Sequence, residues 1–137
     1  MRYLLDTDTC VFCLRGREVA RERVQAVGAD AIAVSAITLA ELRYGASCSV
    51  QREANHQAID DFISGIAVLD MDSAVAAVFG DLKSQLRQQG MLIEDFDLAI
   101  AATALVYDLI VVTNNEKHFS RIAELRLENW VASADVP

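Results

Sequence analysis

Proline is nearly absent from this chain of 137 residues: the single one is Pro137, at the end of the sequence. Six glycines are scattered along the rest, so no Pro- or Gly-rich linker divides the chain, and neither a repeat nor a low-complexity segment is present. Three cysteines, Cys10, Cys13 and Cys48, are an odd number without the spacing of a disulfide framework, which points to reduced thiols. No apolar run approaches the roughly 20 residues of a membrane span, and the opening Met1-Arg2-Tyr3-Leu4-Leu5-Asp6 lacks a cleavable signal pattern. The expectation is a cytoplasmic protein with no membrane partner. Lysine is scarce too, with Lys83 and Lys117 alone, and the formal net charge is −8. That balance argues at first sight against nucleic acid, whose phosphates usually demand an excess of Lys and Arg. Net charge is a sum, however. Carboxylates that converge on divalent cations count as negative in the sequence yet are neutralised in a working site. Arg15, Arg17, Arg21 and Arg23 cluster in one stretch, where they either follow a phosphate backbone or form the solvated face of a helix.

Apolar residues are abundant at 53%, against 23% charged, which is ample for a core and suggests one domain over residues 1–137. Tyr3-Leu4-Leu5, Ala31-Ile32-Ala33-Val34, Ile66-Ala67-Val68-Leu69 and Leu109-Ile110-Val111-Val112 are short apolar runs that read as buried strands. Leu125-Arg126-Leu127-Glu128-Asn129 adds a candidate edge strand. Helical spacing covers about 17 to 28, 36 to 46, 51 to 64, 73 to 89 and 96 to 107. Fully apolar strands alternating with helices predict a three-layer α/β/α domain around a parallel sheet.

In such sheets the ligand site lies beyond the carboxyl ends of the strands. Acids gather there. Asp6 and Asp8 follow the first strand, Glu41 the second, Asp70 and Asp72 the third; Thr113, Asn114, Asn115 and Glu116 follow the fourth, and Asp97 opens the helix before it. Carboxylates packed together repel one another unless a cation sits between them. Hard oxygen ligands select Mg²⁺ or Mn²⁺ over zinc, and such ions activate water for phosphodiester cleavage. Histidine offers no obvious nucleophile.

Four segments in order carry a specific resemblance: Leu4-Leu5-Asp6-Thr7-Asp8-Thr9, Ser35 through Gly45, Asp97-Leu98-Ala99-Ile100-Ala101-Ala102, and Val112-Thr113-Asn114-Asn115. Together they resemble the motifs of PIN-domain ribonucleases, most closely the VapC toxins of bacterial toxin–antitoxin pairs, from Met1 to about Trp130. The resemblance implies a PIN-like fold and a metal-dependent endoribonuclease that leaves a 5′-phosphate and a 3′-hydroxyl, with transfer RNA among the substrates of such relatives. It implies Asp6, Glu41 and Asp97 as ligands for one or two Mg²⁺ or Mn²⁺ ions. Where the family often has a fourth acid, this sequence has Asn115, a weaker ligand, which leaves the number of ions open. Asp8 stands where many relatives carry Asn; it either restores the missing charge or caps the following helix. Thr113 orients a ligand or water, and Glu116 is an outer candidate. The family also implies a cognate VapB-type antitoxin and a homodimer; helix surfaces with Phe12, Leu14, Leu42 and Tyr44 are candidates for the inhibitor's groove, with core burial the other fate for some of them.

Each acid has a structural use as well. Thr38-Leu39-Ala40-Glu41 fits a helix capping box, and Asp95 and Asp97 suit a helix's first turn. Independent capping does not account for the joint placement of the acids beside Thr113 and Asn115. Cys10-Val11-Phe12-Cys13 follows a strand as a redox pair would, yet its spacing better suits small buried hydrophobes. Zinc bound by the cysteines with His56 is disfavoured, and His118, next to Phe119, reads as structural or surface first, with contact to substrate as the lesser alternative. Two rivals share acids at strand ends: an aspartyl phosphatase of the haloacid-dehalogenase type, from Asp6-Thr7-Asp8-Thr9, and a phospho-receiver domain with Asp70 as acceptor. Both need a lysine that neither Lys83 nor Lys117 supplies in position.

Overall fold

A computed structural model describes residues 1–131; Pro137 and the end of the expected domain lie outside the described residues. Five parallel strands run β1 (Tyr3–Leu5), β2 (Ile32–Ser35), β3 (Ala67–Leu69), β4 (Ile110–Val112) and β5 (Leu127–Glu128), in the spatial order β3-β2-β1-β4-β5. The helices are α1 (Thr7–Leu14), α2 (Glu18–Val27), α3 (Ala36–Cys48), α4 (Arg52–Ile63), α5 (Ser73–Gln88), α6 (Asp95–Tyr107) and the short α7 (Glu116–Phe119). This is the α/β/α architecture expected from the apolar strands.

Because side chains alternate along a strand, one sheet serves two cores. Leu4, Ala33 and Val111 face one layer, where α5 and α6 supply Leu82, Leu86, Leu98 and Ile100. Their neighbours Tyr3, Leu5, Ile32, Val34, Ile110 and Val112 face the other, against Cys10, Leu42 and Ile59 of α1, α3 and α4. In β1, β2 and β4, covered on both faces, no position is free to be polar until the carboxyl end, where Asp6, Ser35 and Thr113 appear.

The connections depart from simple strand–helix alternation: α1 and α2, α3 and α4, and α5 and α6 come in pairs. The helix over 7–14 is also additional to those read from spacing. Its sequence, TDTCVFCL, is rich in β-branched and aromatic residues with poor intrinsic helix preference. Asp6 starts it, accepting from the Thr9 N–H at 2.9 Å. The 3-10 turn Ala29–Ala31 takes the place of the first residue expected in β2, entered through Gly28 at φ +83°, a conformation that L side chains rarely adopt. The edge strand is confined to Leu127–Glu128.

The chain passes from β1 to β2 on one side and returns to β4 on the other, so β1 and β4 flank the point where connections diverge. That opens a crevice at their carboxyl ends. Phe119, fully buried at the end of α7, pins the segment that borders this crevice to the α5/α6 core. Phe119→Ala should therefore lower the unfolding free energy by about 3–5 kcal/mol, whereas Val50→Ala, at a fully exposed position, should change it by less than about 0.5 kcal/mol; urea denaturation measures both.

Candidate active site

Asp6 leaves β1 with its backbone N–H bonded to the Val112 carbonyl of β4 at 3.0 Å, so its place is set by strand pairing. The residue is only 3% exposed. Its carboxylate accepts from the Thr9 N–H and from the hydroxyl of Thr113, itself fully buried. Thr9 in turn donates its hydroxyl to the Val112 carbonyl at 3.0 Å, locking α1 against β4. Burial is the largest influence on Asp6 and pushes its carboxyl up to about 6, against hydrogen bonds from Thr113 and Thr9 that pull down and the charge of Asp8 that pushes further up. Asp6 thus fulfils the capping use open to it and still carries a charge that its surroundings disfavour.

Glu41 sits about one and a half turns into α3. The capping-box expectation does not hold: Ser35 is the cap, accepting from the Thr38 N–H at 3.0 Å. Glu41 instead accepts from the Thr7 hydroxyl at 2.6 Å, and that oxygen lies 3.3 Å from Thr38 Oγ1. The bond joins residues 34 apart in sequence and points the carboxylate toward the end of β1. Asp97 lies in the first turn of α6, whose cap residue Glu94 makes no side-chain cap bond. Burial raises the Asp97 carboxyl first, then the charges of Glu94, Glu41 and Asp8; His118 opposes them.

These acids line one cavity of about 230 Å³: Asp6, Asp8, Glu41 and Asp97, together with Glu94, Thr7, Asn115 and His118. The three residues expected to hold metal are therefore brought together. Asp8 is exposed on the first turn of α1 and does not cap it, since Asp6 does. Thr113 lies behind Asp6 and accepts from the Asn115 N–H at 2.8 Å. Glu116 is exposed, accepts from the Asn129 amide, and is not among the lining residues. Glu94 and Thr7 join the site without having been singled out as members, and His118 joins it in line with the lesser of its two readings; the spacing of Glu94 and Asp97, three apart across the start of a helix, is the signal that marks the first.

Other candidates fall away from the cavity. Cys10 and Cys13 are buried and unpaired, with the Cys10 thiol pushed well up and Cys13 to about 11, chiefly by burial, so neither is a nucleophile at neutral pH. Lys83 pairs with Asp95 at 2.9 Å, Lys117 is exposed, and Asp70 is exposed at the end of β3; none lines the cavity that a phosphatase or receiver would need. In the arginine stretch, Arg17 lies over the Phe12 ring, Arg21 donates to the Cys13 carbonyl at 2.9 Å, and Arg23 pairs with Glu128.

The donor set is the kind a hard cation takes: carboxylates, one hydroxyl and an amide, with one imidazole. Among the described residues no three His, Cys, Asp or Glu side chains stand close enough to grip an ion unaided. Mg²⁺, which keeps several waters and takes one or two carboxylates directly, suits that wider spacing. The raised Asp6 and Asp97 mark negative charge that no lysine or arginine of the cavity cancels.

Comparison with known proteins gives a consistent family. The sequence matches the PIN domain over residues 3–125. It is 40% identical to "Ribonuclease VapC2" of Haemophilus influenzae, over 96% of this chain and 99% of that protein. It is 38% identical to "tRNA(fMet)-specific endonuclease VapC" of Shigella flexneri, over 95% and 98%. The fold superposes on a chain of the DNA-bound VapBC crystal structure from Salmonella typhimurium with a TM-score of 0.90 and 37% identity, covering 95% of this chain and 98% of that one.

A carboxyl that titrates near 6 when folded and near 3.8 when unfolded favours the folded state fully below the lower value, and that stability is lost as pH rises through the upper one. In chelator-treated protein, Asp6→Asn should therefore become more stable relative to wild type between about pH 4 and 6.5, by roughly 3 kcal/mol for two pKa units. Unfolding curves across that range measure it, and a difference independent of pH would overturn the assignment of buried charge to Asp6.

Proposed function

The chain belongs to the PIN-domain family, and from that membership we propose that it is the toxin of a type II toxin–antitoxin pair, a metal-dependent endoribonuclease. One observation supports this most: acids from three separate elements, Asp6 at the end of β1, Glu41 on α3 and Asp97 on α6, border a single cavity at the divergence point of a parallel sheet. Independent helix capping would have had no reason to bring them together.

In this proposal Asp6, Glu41 and Asp97 hold one or two Mg²⁺ or Mn²⁺ ions, with Asp8 and Asn115 as weaker outer oxygens. Bound there, a divalent cation supplies positive charge for the phosphate and lowers the pKa of a water. The protein's own part is positioning. Thr113 fixes the Asp6 carboxylate from behind, and Thr7 fixes Glu41, so two of the three acids enter the cavity with their orientation already set. Burial keeps Asp6 out of bulk water, so its attraction for a cation is stronger than it would be in water. The substrate is RNA, and the name of the Shigella flexneri relative makes initiator transfer RNA the first to test. Cleavage leaves a 5′-phosphate and a 3′-hydroxyl.

The partner is a VapB-type antitoxin, consistent with the VapBC assemblies among the structural relatives. An apolar groove of about 340 Å³ runs from the acid cavity, sharing Thr7 and Glu41 with it and continuing past Leu14 and Leu42 to Ile59. A tail lying in it would reach the acids with a basic side chain. Of the residues expected there, Leu14 and Leu42 line the groove; Phe12 packs beside Cys13 and Val131 instead, and Tyr44 is exposed elsewhere. The protein is proposed to act as a cytoplasmic homodimer of single-domain subunits; among the described residues no helix is long and apolar enough to cross a membrane.

Asp6→Asn, Glu41→Gln and Asp97→Asn should each keep the wild-type circular dichroism spectrum and lose RNA cleavage by more than about 100-fold, beyond the roughly 10- to 100-fold cost of merely supporting residues. Chelation should abolish wild-type cleavage, and Mg²⁺ or Mn²⁺ restore it. Sequencing RNA ends that appear on expression of wild type but not of the Asp6 variant identifies the cut site. Full activity in the variants or in chelator would refute the metal assignment.

A further inference from the structure

His118 is the one imidazole among the side chains that line the acid cavity, and it is half-buried on α7. Its ring is not free to turn. The side-chain amide nitrogen of Asn115 lies 2.9 Å from His118 Nδ1. An amide nitrogen only donates, so Nδ1 accepts, and a neutral ring then carries its proton on Nε2. Among the described residues Nε2 has no partner. Asn115 is itself held, its N–H donating to the Thr113 hydroxyl that also bonds Asp6. A continuous set of hydrogen bonds thus runs from the Asp6 carboxylate through Thr113 and Asn115 to the imidazole.

We propose that His118 is a substrate-binding residue for the nuclease reaction, offering Nε2–H to a non-bridging oxygen of the RNA phosphate at the acid cavity, and that Asn115 is the positioning residue that fixes the proton there. The inference rests on the nuclease reading of the same cavity. Five of the eight lining side chains are carboxylates, which have nothing to donate when ionised and repel a phosphodiester. Thr7 spends its hydroxyl proton on Glu41. One amide proton of Asn115 is spent on the ring. The donors left over are the second amide proton of Asn115 and the imidazole N–H; of these, a neutral imidazole offers its proton without competing with a cation for the acids. Asn115 also explains itself in these terms: an ionised carboxylate at that position could only accept, would draw the proton to Nδ1, and would leave Nε2 a lone pair with nothing to give to phosphate. The opposite amide setting, with Oδ1 facing the ring, would leave Nε2 a lone pair too and make it a metal ligand; the test separates the two.

The test uses the full chain. In the cleavage-deficient Asp6→Asn background with Mg²⁺, filter binding of end-labelled bulk transfer RNA should weaken roughly 10- to 100-fold on His118→Ala, as for loss of a hydrogen bond to a charged group. His118→Gln, whose amide can donate from a similar reach, should recover most of the loss. Asn115→Asp should weaken binding like His118→Ala. His56→Ala, at a histidine held by Arg43 and Ser47 away from the cavity, should leave it unchanged. With Asp6 intact, His118→Ala should raise KM far more than it lowers kcat. Mn²⁺ affinity by calorimetry should stay the same in His118→Ala and His118→Gln. RNA binding unaffected by His118→Ala, failure of Gln to rescue, or tighter RNA binding in Asn115→Asp would overturn the proposal. A parallel loss of Mn²⁺ affinity would make His118 a ligand instead. If wild type cuts no RNA at all, the nuclease reading itself fails and this inference with it; if wild type cuts and only the His118 results go against expectation, the nuclease reading stands.

Discussion

Mutual repulsion among carboxylates is the constraint around which the rest of this molecule is arranged. Asp6, Asp8, Glu41, Glu94 and Asp97 share one cavity, and no lysine or arginine lines it. In water such a group would drift apart. Here the backbone forbids it: the Asp6 N–H is bonded to the Val112 carbonyl of a neighbouring strand, Glu41 is tied to Thr7 across two elements, and Asp97 is fixed in the first turn of a helix whose next seven residues are buried. The folding energy that opposes the repulsion comes from the two apolar layers on either side of the sheet. Stability in the layers and strain at their edge are two faces of one arrangement, as expected where function requires a locally unfavourable site.

The layers were the legible part of the sequence. Runs such as Ile110-Val111-Val112 have no polar position to turn toward water, so burial on both faces follows directly. Helices with a clear apolar stripe, α5 above all, are equally plain. Less visible was α1, because Thr, Cys, Val and Phe are weak helix formers and its start is decided by one side chain, Asp6, capping from the end of the preceding strand. Propensity summed over eight residues cannot register a cap of that kind, nor a tertiary anchor such as Thr9 on Val112.

The acids of the site were legible by position, while their surroundings were not. Knowing that ligand sites lie beyond strand ends gathers Asp6, Asp8, Glu41, Asp70, Asp72, Asp97 and Glu116 alike; it is the family resemblance that singles out Asp6, Glu41 and Asp97. It does not tell that Glu41 is held by Thr7 rather than by its own helix end, since the local pattern Thr38…Glu41 offers a capping box that the three-dimensional structure declines in favour of Ser35. Glu94 was hidden, and His118 read only as a lesser candidate, for a related reason. Each stands next to residues with an evident structural use, and only the approach of α6 and α7 to the end of β1 reveals that they border the same space.

Asn115 brings these strands of reasoning together. A sixth carboxylate in the cavity would bind a cation more tightly once one arrived, but without it would add repulsion to Asp6 and Asp97, both already pushed up by burial and like charge. An amide adds no charge, keeps an oxygen for a cation or its water, and gains what a carboxylate lacks, a donor. That donor is directed at His118. On the proposed reading, the exchange of acid for amide shifts the balance of the site away from holding metal by charge alone and toward ordering a neutral hydrogen-bond donor beside it. On that reading, a cavity holding a cation with one carboxylate fewer depends more on the negative charge of the phosphate it receives to complete its charge balance.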